Sequence, residues 1–367
     1  MLSDLHIRKY RGLVSTRLTD LTRINLIVGT NKVGKSSVLE AVEILLSDHV
    51  PSTLCQVAAR RAEVELPKSQ DEDPGFPTVY RARPTLSHLF AGHLLQEGVE
   101  FSIEGNSSTL GAVCTIQVPG PDYRRSNDTL EHWGQGSFPF ILKSSQLRPR
   151  GNSQTTTLIS ERGTLPNLPH HVPPAGKVRP AVRYVGTEGL EPGRLDQLWD
   201  AIVLTPEEQH VLDALGIIEP GIERLAALQG SATILVKLRN SDARIPIGSM
   251  GEGIKRLFVL AVHAAASAGG ILLIDEVDTG LHHSVMARMW RLLVESARRL
   301  NVQVLATTHS DDCVSSMSQV CGEFEGFRKE VSLHRLDAGV ETATRYSAEE
   351  LIIAFRGRME VRGHAAR

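Results

Sequence analysis

The hydrophobic pattern at the start of the chain predicts two short strands followed by a helix. Residues 5–10 and 24–28 have the composition of strands, with turn residues at Arg11 and Gly12 between them. Apolar residues then recur at helical spacing over residues 38–46. The second predicted strand therefore runs into a glycine-containing loop that leads directly into a helix.

In the second half of the chain, predicted strands alternate with predicted helices. The strands are residues 234–238, 271–274 and 302–306, and the helices are residues 256–267 and 285–300. Such alternation is typical of a doubly wound α/β sheet. The apolar run over residues 257–274 has the length of a membrane span, but Gly269 and Gly270 interrupt it. It is therefore predicted to be a buried helix followed by a buried strand.

The middle of the chain has a less regular pattern. Residues 99–103 and 113–118 alternate apolar with polar side chains and predict a small antiparallel sheet. Residues 119–180 are rich in proline, glycine, serine and threonine, which predicts long loops or an accessory insertion. Helical patterning, with Thr205 as a candidate N-cap, predicts a helical subdomain over residues 190–229.

Composition and charge narrow the class of protein. The 367 residues are 41% hydrophobic and 22% charged, so a sizeable core is expected, and the formal net charge of −2 provides no global basic field for nucleic acid. The cysteines lie at no metal-binding or redox spacing and are expected to be reduced thiols; they are Cys55, Cys114, Cys313 and Cys321. Because the N-terminus does not resemble a signal peptide, a cytoplasmic protein without membrane attachment is expected.

The loop between the second strand and the first helix matches the phosphate-binding pattern G-x-x-x-x-G-K-[ST]. It consists of Gly29, Thr30, Asn31, Lys32, Val33, Gly34, Lys35 and Ser36, with Ser37 following. In such a loop, backbone amides at the helix N-terminus face phosphate oxygens, Lys35 reaches the β- and γ-phosphates, and Ser36 binds Mg²⁺. Lys32 is expected either to add charge at the phosphates or to be solvated.

Two acids and a histidine follow the next predicted strands. Asp275 and Glu276 end an apolar strand and are either ordinary capping acids or a catalytic pair. Next to a phosphate loop, the catalytic interpretation assigns Asp275 to Mg²⁺ and Glu276 to the water that attacks the γ-phosphate. His309 follows another strand and is either structural or a sensor of the γ-phosphate at the carboxyl edge of the same sheet.

The order and spacing of these motifs resemble the ABC ATPase domains of the RecF, SMC and OLD-like group. The resemblance rests on the phosphate loop, the segment 247–253 (IGSMGEG), the pair Asp275 and Glu276, and His309. In addition, residues 274–282 (IDEVDTGLH) are similar to a stretch of OLD-like AAA-type ATPases from bacterial defence systems.

This resemblance implies a fold and its division. The expected fold class is α/β: an ABC-type P-loop ATPase head with a mixed central sheet, a small antiparallel β subdomain and a helical subdomain. Residues 1–367 would form a single domain. Its parts would be a phosphate-loop half at 1–48, an antiparallel and loop-rich insertion at 84–180, the helical subdomain at 190–229, and a half at 230–367 that carries the remaining motifs.

The resemblance also implies a head-to-tail dimer, with larger assemblies left open. ATP and Mg²⁺ would be bound between the phosphate loop of one copy and the signature segment of the other, in which Ser249, Gly251 and Glu252 align with the family's signature. The groups expected to be catalytic are Glu276, His309 and Lys35. Arg256 is expected either to assist at the dimer interface or to be solvated.

Two positions depart from the family pattern. His282 stands where SMC-like members carry aspartate, so the loop that communicates between subunits is altered. The glutamine that usually follows the phosphate-loop helix is left unassigned among Gln56, Gln70 and Gln96, because none of these follows a clear strand.

Three functions are considered. The first is an ATP-driven switch that controls a separately encoded effector, such as a Toprim or HNH nuclease, in anti-phage defence. OLD-like nucleases carry a Toprim domain after the ATPase, whereas the residues after His309 are fewer than the roughly 100 of a typical extra domain and are expected to form a closing hairpin and helix.

The second function is a RecF-like, ATP-gated clamp on DNA. Its candidate contacts are the pairs Arg60-Arg61 and Arg148/Arg150, which are otherwise solvated surface. The third function, nuclease activity of the chain itself, is disfavoured. His170-His171 and His282-His283 are adjacent pairs, which do not by themselves form a metal site.

Overall fold

A computed structural model describes residues 1–65, 83–93, 95–107, 111–119, 139–147, 153–160, 181–187, 194–228, 233–357, 359 and 361–362. The strands are β1 Asp4–Tyr10, β2 Leu13–Leu18, β3 Ile24–Gly29, β4 Val64–Glu65, β5 Arg83–Pro84, β6 Glu100–Asn106, β7 Gly111–Gln117, β8 Pro139–Leu147, β9 Ser153–Ser160, β10 Val182–Val185, β11 Ile222–Leu228, β12 Thr233–Leu238, β13 Arg244–Pro246, β14 Ile271–Ile274, β15 Gln303–Thr307, β16 Val331–Leu336 and β17 Thr344–Ser347. The α-helices are α1 Lys35–Leu46, α2 Val50–Arg60, α3 Arg194–Asp200, α4 Pro206–Gly216, α5 Glu252–Ala266, α6 His283–Arg299, α7 Asp311–Glu323 and α8 Ala348–Arg356. Short 3₁₀ helices cover Leu86–Leu89, Ala91–His93, Ile247–Met250 and Glu325–Glu330.

The central layer is a mixed sheet with strand order β10-β14-β15-β3-β16-β17. Neighbouring strands from β10 to β16 are parallel, and β17 is antiparallel to β16. In β14, Leu272 and Ile274 belong to one hydrophobic core, whereas Ile271 and Leu273 belong to the other. Both faces of the sheet are therefore covered, which explains why this strand is continuously apolar in sequence.

The first helix lies between two sheets. The second sheet is antiparallel, with strand order β2-β1-β6-β7-β8-β9, and α1 contacts β6 and β7 of this sheet as well as β10 and β15 of the central sheet. Val38, Leu39, Val42 and Ile44 of α1 are fully buried. A helix that is apolar on most sides has to be covered on most sides, and the position between two sheets provides this. Because α1 follows directly after the phosphate loop, its packing also fixes the loop against the central sheet.

The other face of the central sheet is covered by helices. Packing joins α5 to α6, α6 to α7 and α7 to α8, and α4 contacts both α5 and α6. Trp290 of α6 is buried, and its Nε1 donates to the carbonyl of Cys313 at 2.9 Å, so this buried indole N–H has a hydrogen-bond partner. A small sheet, β11-β12-β13, lies next to α4.

The predicted fold class is confirmed, with local corrections. The turn at Arg11 and Gly12 joins β1 to β2, a strand that the hydrophobic pattern did not predict, and α2 was not predicted either. Residues 222–228 form β11, so the segment 190–229 is not wholly helical. Strands β8 and β9 lie within residues 119–180, which were predicted to be long loops or an accessory insertion. Thr205 precedes α4 as predicted, but its hydroxyl donates to the carbonyl of Ile202 and does not cap the helix.

Two expectations about the whole chain can also be compared with the structure. All four cysteines are free thiols. Across the residues that the structure describes, no helix combines the length and the apolar character that crossing a membrane requires.

The buried His334 of β16 predicts a loss of stability in weak acid. Burial, with the nearby charge of Arg345, lowers its pKa from 6.5 to about 4. Because the unfolded chain takes up this proton below pH 6.5 and the folded chain does not, the contribution to stability is full above pH 6.5 and is lost as the pH falls towards 4. The expected loss at pH 5 is about 2 kcal/mol.

Urea unfolding at pH 7 and pH 5 measures this loss. The matched variant is His334→Gln, because glutamine retains a polar atom near Nε2, which lies 3.0 Å from the hydroxyl of Ser332. The variant is expected to show a pH difference smaller by about 2 kcal/mol. An equal pH difference in both proteins would show that another group causes the acid sensitivity.

Candidate active site

The predicted motifs meet at one edge of the central sheet. Strands β10, β14, β15 and β3 are successive parallel neighbours, so their carboxyl ends lie side by side. The phosphate loop follows β3, the pair Asp275 and Glu276 follows β14, and His309 comes two residues after β15. Sheet topology thus brings together segments that are far apart in sequence.

The glycines of the phosphate loop are required by its geometry. Gly29 and Gly34 have φ angles of 148° and 100°, which residues with a side chain rarely adopt. A Cβ atom on Gly34 would lie 2.4 Å from Cδ2 of Leu13, and one on Gly29 would lie 2.5 Å from the carbonyl oxygen of Leu336. The tight loop that these glycines allow places the N-terminus of α1 at the sheet edge. The first amide groups of a helix have no partner within the helix and can bind phosphate oxygens there. Lys32 also has a positive φ, of 69°, and is exposed.

Lys35 is hydrogen-bonded to the backbone of the phosphate loop. Its Nζ donates to the carbonyl oxygens of Gly29 at 2.8 Å and Thr30 at 3.1 Å. Burial lowers the pKa of Lys35, whereas the charges of Asp275 and Glu276 act in the opposite direction. The two carboxylates thus offset only part of the effect of burial, and the pKa of this cation stays lowered.

Asp275 is the most connected residue of the site. Its Oδ1 accepts hydrogen bonds from Ser36 Oγ at 3.0 Å and Thr307 Oγ1 at 2.5 Å, and its Oδ2 accepts one from the hydroxyl of Tyr184 at 3.0 Å. A serine hydroxyl beside a carboxylate is the donor set that suits a hard cation such as Mg²⁺. Ser36 and Asp275 therefore fit the predicted metal role. Tyr184, which belongs to no motif, was missed by the sequence analysis.

Glu276 and His309 lie side by side. His309 Nδ1 is 3.7 Å from Glu276 Oε1, and both side chains are partly exposed. The backbone of Glu276 has a φ of 44°, an uncommon conformation for a residue with a side chain. Its N–H donates to Thr307 Oγ1 at 2.9 Å, so the same threonine holds both acids of the pair.

Arg256 braces the turn that carries the two acids. Its Nη1 donates to the carbonyl of Gly186 at 3.0 Å, and its Nη2 lies 3.4 and 3.3 Å from the carbonyls of Asp275 and Glu276. Arg256 is only 8% exposed, and burial lowers its pKa although three nearby carboxylates raise it. The alternative of a solvated residue is therefore wrong, because the guanidinium is buried, whereas assistance at a dimer interface stays a prediction.

Replacing Arg256 with methionine is expected to impair catalysis more than nucleotide binding. The methionine side chain is of similar size to that of arginine, but it cannot donate hydrogen bonds to the backbone carbonyls of Asp275 and Glu276. Leaving these carbonyls without a donor costs about 1–3 kcal/mol of stability. Turnover should fall at least about tenfold because Glu276 loses its position, whereas the phosphate loop is untouched. Arg288→Met is the control, since exposed Arg288 also donates to a carbonyl, that of Ile218. Equal turnover in the two variants would contradict this role.

The signature residues lie where a short 3₁₀ helix leads into α5. Ser249 belongs to the 3₁₀ helix Ile247–Met250, Gly251 has a φ of 100°, and Glu252 begins α5. All three residues are exposed, and among the described residues none has a recorded hydrogen bond or ion pair to the phosphate loop. The arrangement leaves these groups accessible to another molecule.

Several other predicted residues have different environments. Arg60 pairs with both carboxylate oxygens of Glu43 at 2.9 and 2.7 Å, and Arg61 pairs with Glu40 at 2.6 Å, so this pair is not a solvated basic patch. His282 N-caps α6 by accepting from the amide of Ser284, and its ring lies 3.9 Å from that of His283, measured between centroids.

The remaining candidates are the glutamines, the second arginine pair and the first histidine pair. Gln56 lies on α2 and Gln96 in the segment before β6, whereas Gln70, Arg148, Arg150, His170 and His171 lie outside the described residues. Within the described part of the chain, no group of three or more histidine, cysteine or acidic side chains has the arrangement of a metal site.

A further residue that the sequence analysis missed is Arg362, whose Nη1 donates to the carbonyl of His309 at 2.5 Å.

Comparison with known proteins agrees with a nucleotide-hydrolysing domain. Residues 206–314 match a family model described as "AAA domain, putative AbiEii toxin, Type IV TA system". This segment contains the signature residues, both acids and His309 but not the phosphate loop. An "ATP/GTP phosphatase" from Helicobacter pylori is 20% identical over 353 residues, which cover 88% of this chain and 89% of that protein. A shorter match, 43% identical over 47 residues, is to the uncharacterized protein MJECL10 of Methanocaldococcus jannaschii and covers 13% of this chain and 22% of that protein.

Solved structures with some likeness to the chain are SMC heads. The SmcHead bound to the C-winged helix domain of ScpA gives a TM-score of 0.48 at 14% identity and covers 96% of this chain and 99% of that one. The SMC head domain from Thermotoga maritima gives 0.42 at 13% identity and covers 94% and 98%. The AAA-domain match over residues 206–314, together with the relative described as a phosphatase, confirms the prediction of an ATPase.

Proposed function

We propose that the chain is a Mg²⁺-dependent ATPase whose complete site forms between two copies, and that it controls a separately encoded effector such as a nuclease in bacterial anti-phage defence. The observation that carries the ATPase part is the contact of Ser36 with Asp275, at 3.0 Å, beside Glu276 and His309. A phosphate loop, a metal carboxylate and a candidate base thus share one sheet edge.

The residues have distinct roles in hydrolysis. Ser36 and Asp275 would hold Mg²⁺, which neutralises charge on the β- and γ-phosphates when bound. Lys35 adds a second positive charge at the same oxygens. Glu276 orients the attacking water and accepts its proton as the water oxygen bonds to the γ-phosphorus. The bond from the γ-phosphorus to the β–γ bridging oxygen breaks in the same step, so ADP leaves with that oxygen and inorganic phosphate is formed. His309, next to Glu276, donates a hydrogen bond to a γ-phosphate oxygen.

The second copy completes the site. The exposed Ser249 hydroxyl and the amide groups at the start of α5 are suitable donors for a γ-phosphate and are accessible to the nucleotide of another copy. A head-to-tail dimer places the signature of each copy on the nucleotide of the other. ATP then favours the dimer, and hydrolysis releases it, which provides a switch.

The described elements after His309 belong to the ATPase unit. They are α7, the 3₁₀ helix Glu325–Glu330, β16, β17 and α8, and they pack on the central sheet or on its helices. The defence setting rests on the similarity of residues 274–282 to OLD-like ATPases and on the toxin named in the description of the matching family. Co-expression of the chain with products of neighbouring genes, followed by co-purification with and without ATP, tests this part.

Phosphate release from the full chain tests the ATPase part. Turnover is expected with ATP and Mg²⁺, and GTP serves as a second substrate because the Helicobacter pylori relative is named for both nucleotides. Lys35→Ala provides the background, and Lys329→Ala is a matched control on a distant segment. Release no faster than that of Lys35→Ala with either nucleotide would contradict the proposal. Arg60 and Arg61 are engaged in ion pairs, so this pair does not support the alternative of DNA binding.

A further inference from the structure

We propose that Tyr184 is a positioning residue of this ATPase, which sets the orientation of the Asp275 carboxylate towards Mg²⁺ and is itself held by Arg60. The inference rests on the proposed function and adds a residue that belongs to none of the motifs. Tyr184 lies on β10, the parallel neighbour of the strand that ends at Asp275.

The hydrogen bonds of Asp275 divide between its two oxygens. Thr307 and Ser36 donate to Oδ1, whereas Tyr184 donates to Oδ2 at 3.0 Å. With a donor on each oxygen, the carboxylate cannot rotate about its Cβ–Cγ bond without losing one of them. Ser36 is the residue expected to turn towards the metal, so Thr307 and Tyr184 remain as the two side chains that fix the plane of the carboxylate.

Arg60 keeps the tyrosine in place. Its guanidinium carbon lies 3.6 Å from the centre of the Tyr184 ring, within the range of a cation–π contact. Both oxygens of Glu43 accept hydrogen bonds from Arg60, at 2.9 and 2.7 Å. Because Glu43 lies on α1, these contacts connect the helix of the phosphate loop to the metal carboxylate through α2 and β10.

The geometry makes the tyrosine hydroxyl the donor in this pair. It lies 3.0 Å from Oδ2 of Asp275, and an ionised carboxylate only accepts hydrogen bonds. The ring also packs at the edge of a hydrophobic core, a role that phenylalanine would preserve.

Tyr184→Phe isolates the hydroxyl from the ring. We expect the Mg²⁺ concentration for half-maximal turnover to rise about tenfold, the typical effect of removing a partner of a metal ligand. Affinity for a fluorescent ATP analogue without Mg²⁺, and the melting temperature, should stay at wild-type values. The matched control is Tyr346→Phe: its hydroxyl accepts a hydrogen bond from Arg335 at 3.0 Å, but it lies on β17, at the opposite edge of the central sheet.

A second variant and a spectroscopic measurement complete the test. Arg60→Lys keeps the charge but loses the flat contact and the paired hydrogen bonds, so it should shift the Mg²⁺ dependence in the same direction as Tyr184→Phe. Electron paramagnetic resonance of Mn²⁺ with ATP reads metal binding directly and should report weaker binding in both variants. Wild-type Mg²⁺ and Mn²⁺ dependence in Tyr184→Phe would overturn the inference while leaving the ATPase proposal intact. If the wild-type protein binds Mn²⁺ with ATP but releases no phosphate, the proposal of hydrolysis is refuted. Even then, weaker Mn²⁺ binding by Tyr184→Phe than by the wild type would support the role of the hydroxyl.

Discussion

Glu276→Gln is expected to lower ATP turnover by a factor of about 10²–10⁴ while ATP binding is retained. Glutamine has the shape of glutamate but cannot accept the proton of the attacking water. The surroundings are tolerant of the change, because the carboxylate is partly exposed and its nearest recorded polar partners are His309 at 3.7 Å and Thr279 at 3.4 Å. Binding should persist because Lys35 and Ser36 are unaltered.

The same variant should accumulate an ATP-bound dimer. If hydrolysis opens the dimer, a chain that binds ATP and cannot hydrolyse it remains closed. Phosphate release measures the loss of turnover, and light scattering after size-exclusion chromatography with ATP measures the dimer. Glu295→Gln is the control, since Glu295 forms a surface pair with Arg291 on α6. Turnover within about threefold of wild type would assign the base to another residue.

Ser249→Arg and Lys35→Ala are each expected to abolish turnover, yet an equal mixture of the two should recover about a quarter of it. Each heterodimer has one site with both defects and one site that combines an intact phosphate loop with an intact signature. Half of the dimers in a freely exchanging mixture are heterodimers, and each has one working site of two. The physical basis is that Ser249 is exposed and is therefore accessible to the nucleotide of another copy.

Mixing Lys35→Ala with Glu276→Gln is the matched control. Lys35 and Glu276 lie at the same sheet edge of one subunit, and the charge of Glu276 acts on the pKa of Lys35. Both residues therefore belong to the same half of a composite site, and every dimer in this mixture has a defect in each site. Recovery in the first mixture alone supports sharing between copies. No recovery in either mixture would place the signature outside the site.

Much of the site could be predicted because its central motifs are short and continuous. The eight residues from Gly29 to Ser36 need only their neighbours to be recognised, since the strand before them and the helix after them show in the apolar spacing. The position of His309 followed from a rule about parallel strands rather than from its own surroundings. In these cases, local sequence carries the relevant physical information.

Residues that act through distant contacts could not be predicted in this way. Arg256 and Tyr184 are separated in sequence from the acids that they contact, and an arginine in a helix or a tyrosine in a strand has no distinctive pattern. The segment of β11, IERLAAL, has no clear strand alternation, and pairing with β12 makes it a strand. The charges of Arg60 and Arg61 suggested a surface patch until α2 placed them against Glu43 and Glu40.

The sequence by itself determined the phosphate loop, the acidic pair, the apolar strand that carries this pair and the α/β class, because each depends on neighbouring residues and on periodicity. The tertiary structure alone decided that Tyr184, Thr307 and Ser36 share the carboxylate of Asp275, and that Arg256 supports the turn behind it. The physical reason is that hydrogen bonds and ion pairs act over about 3–4 Å, and only the folded sheet brings these residues within that range.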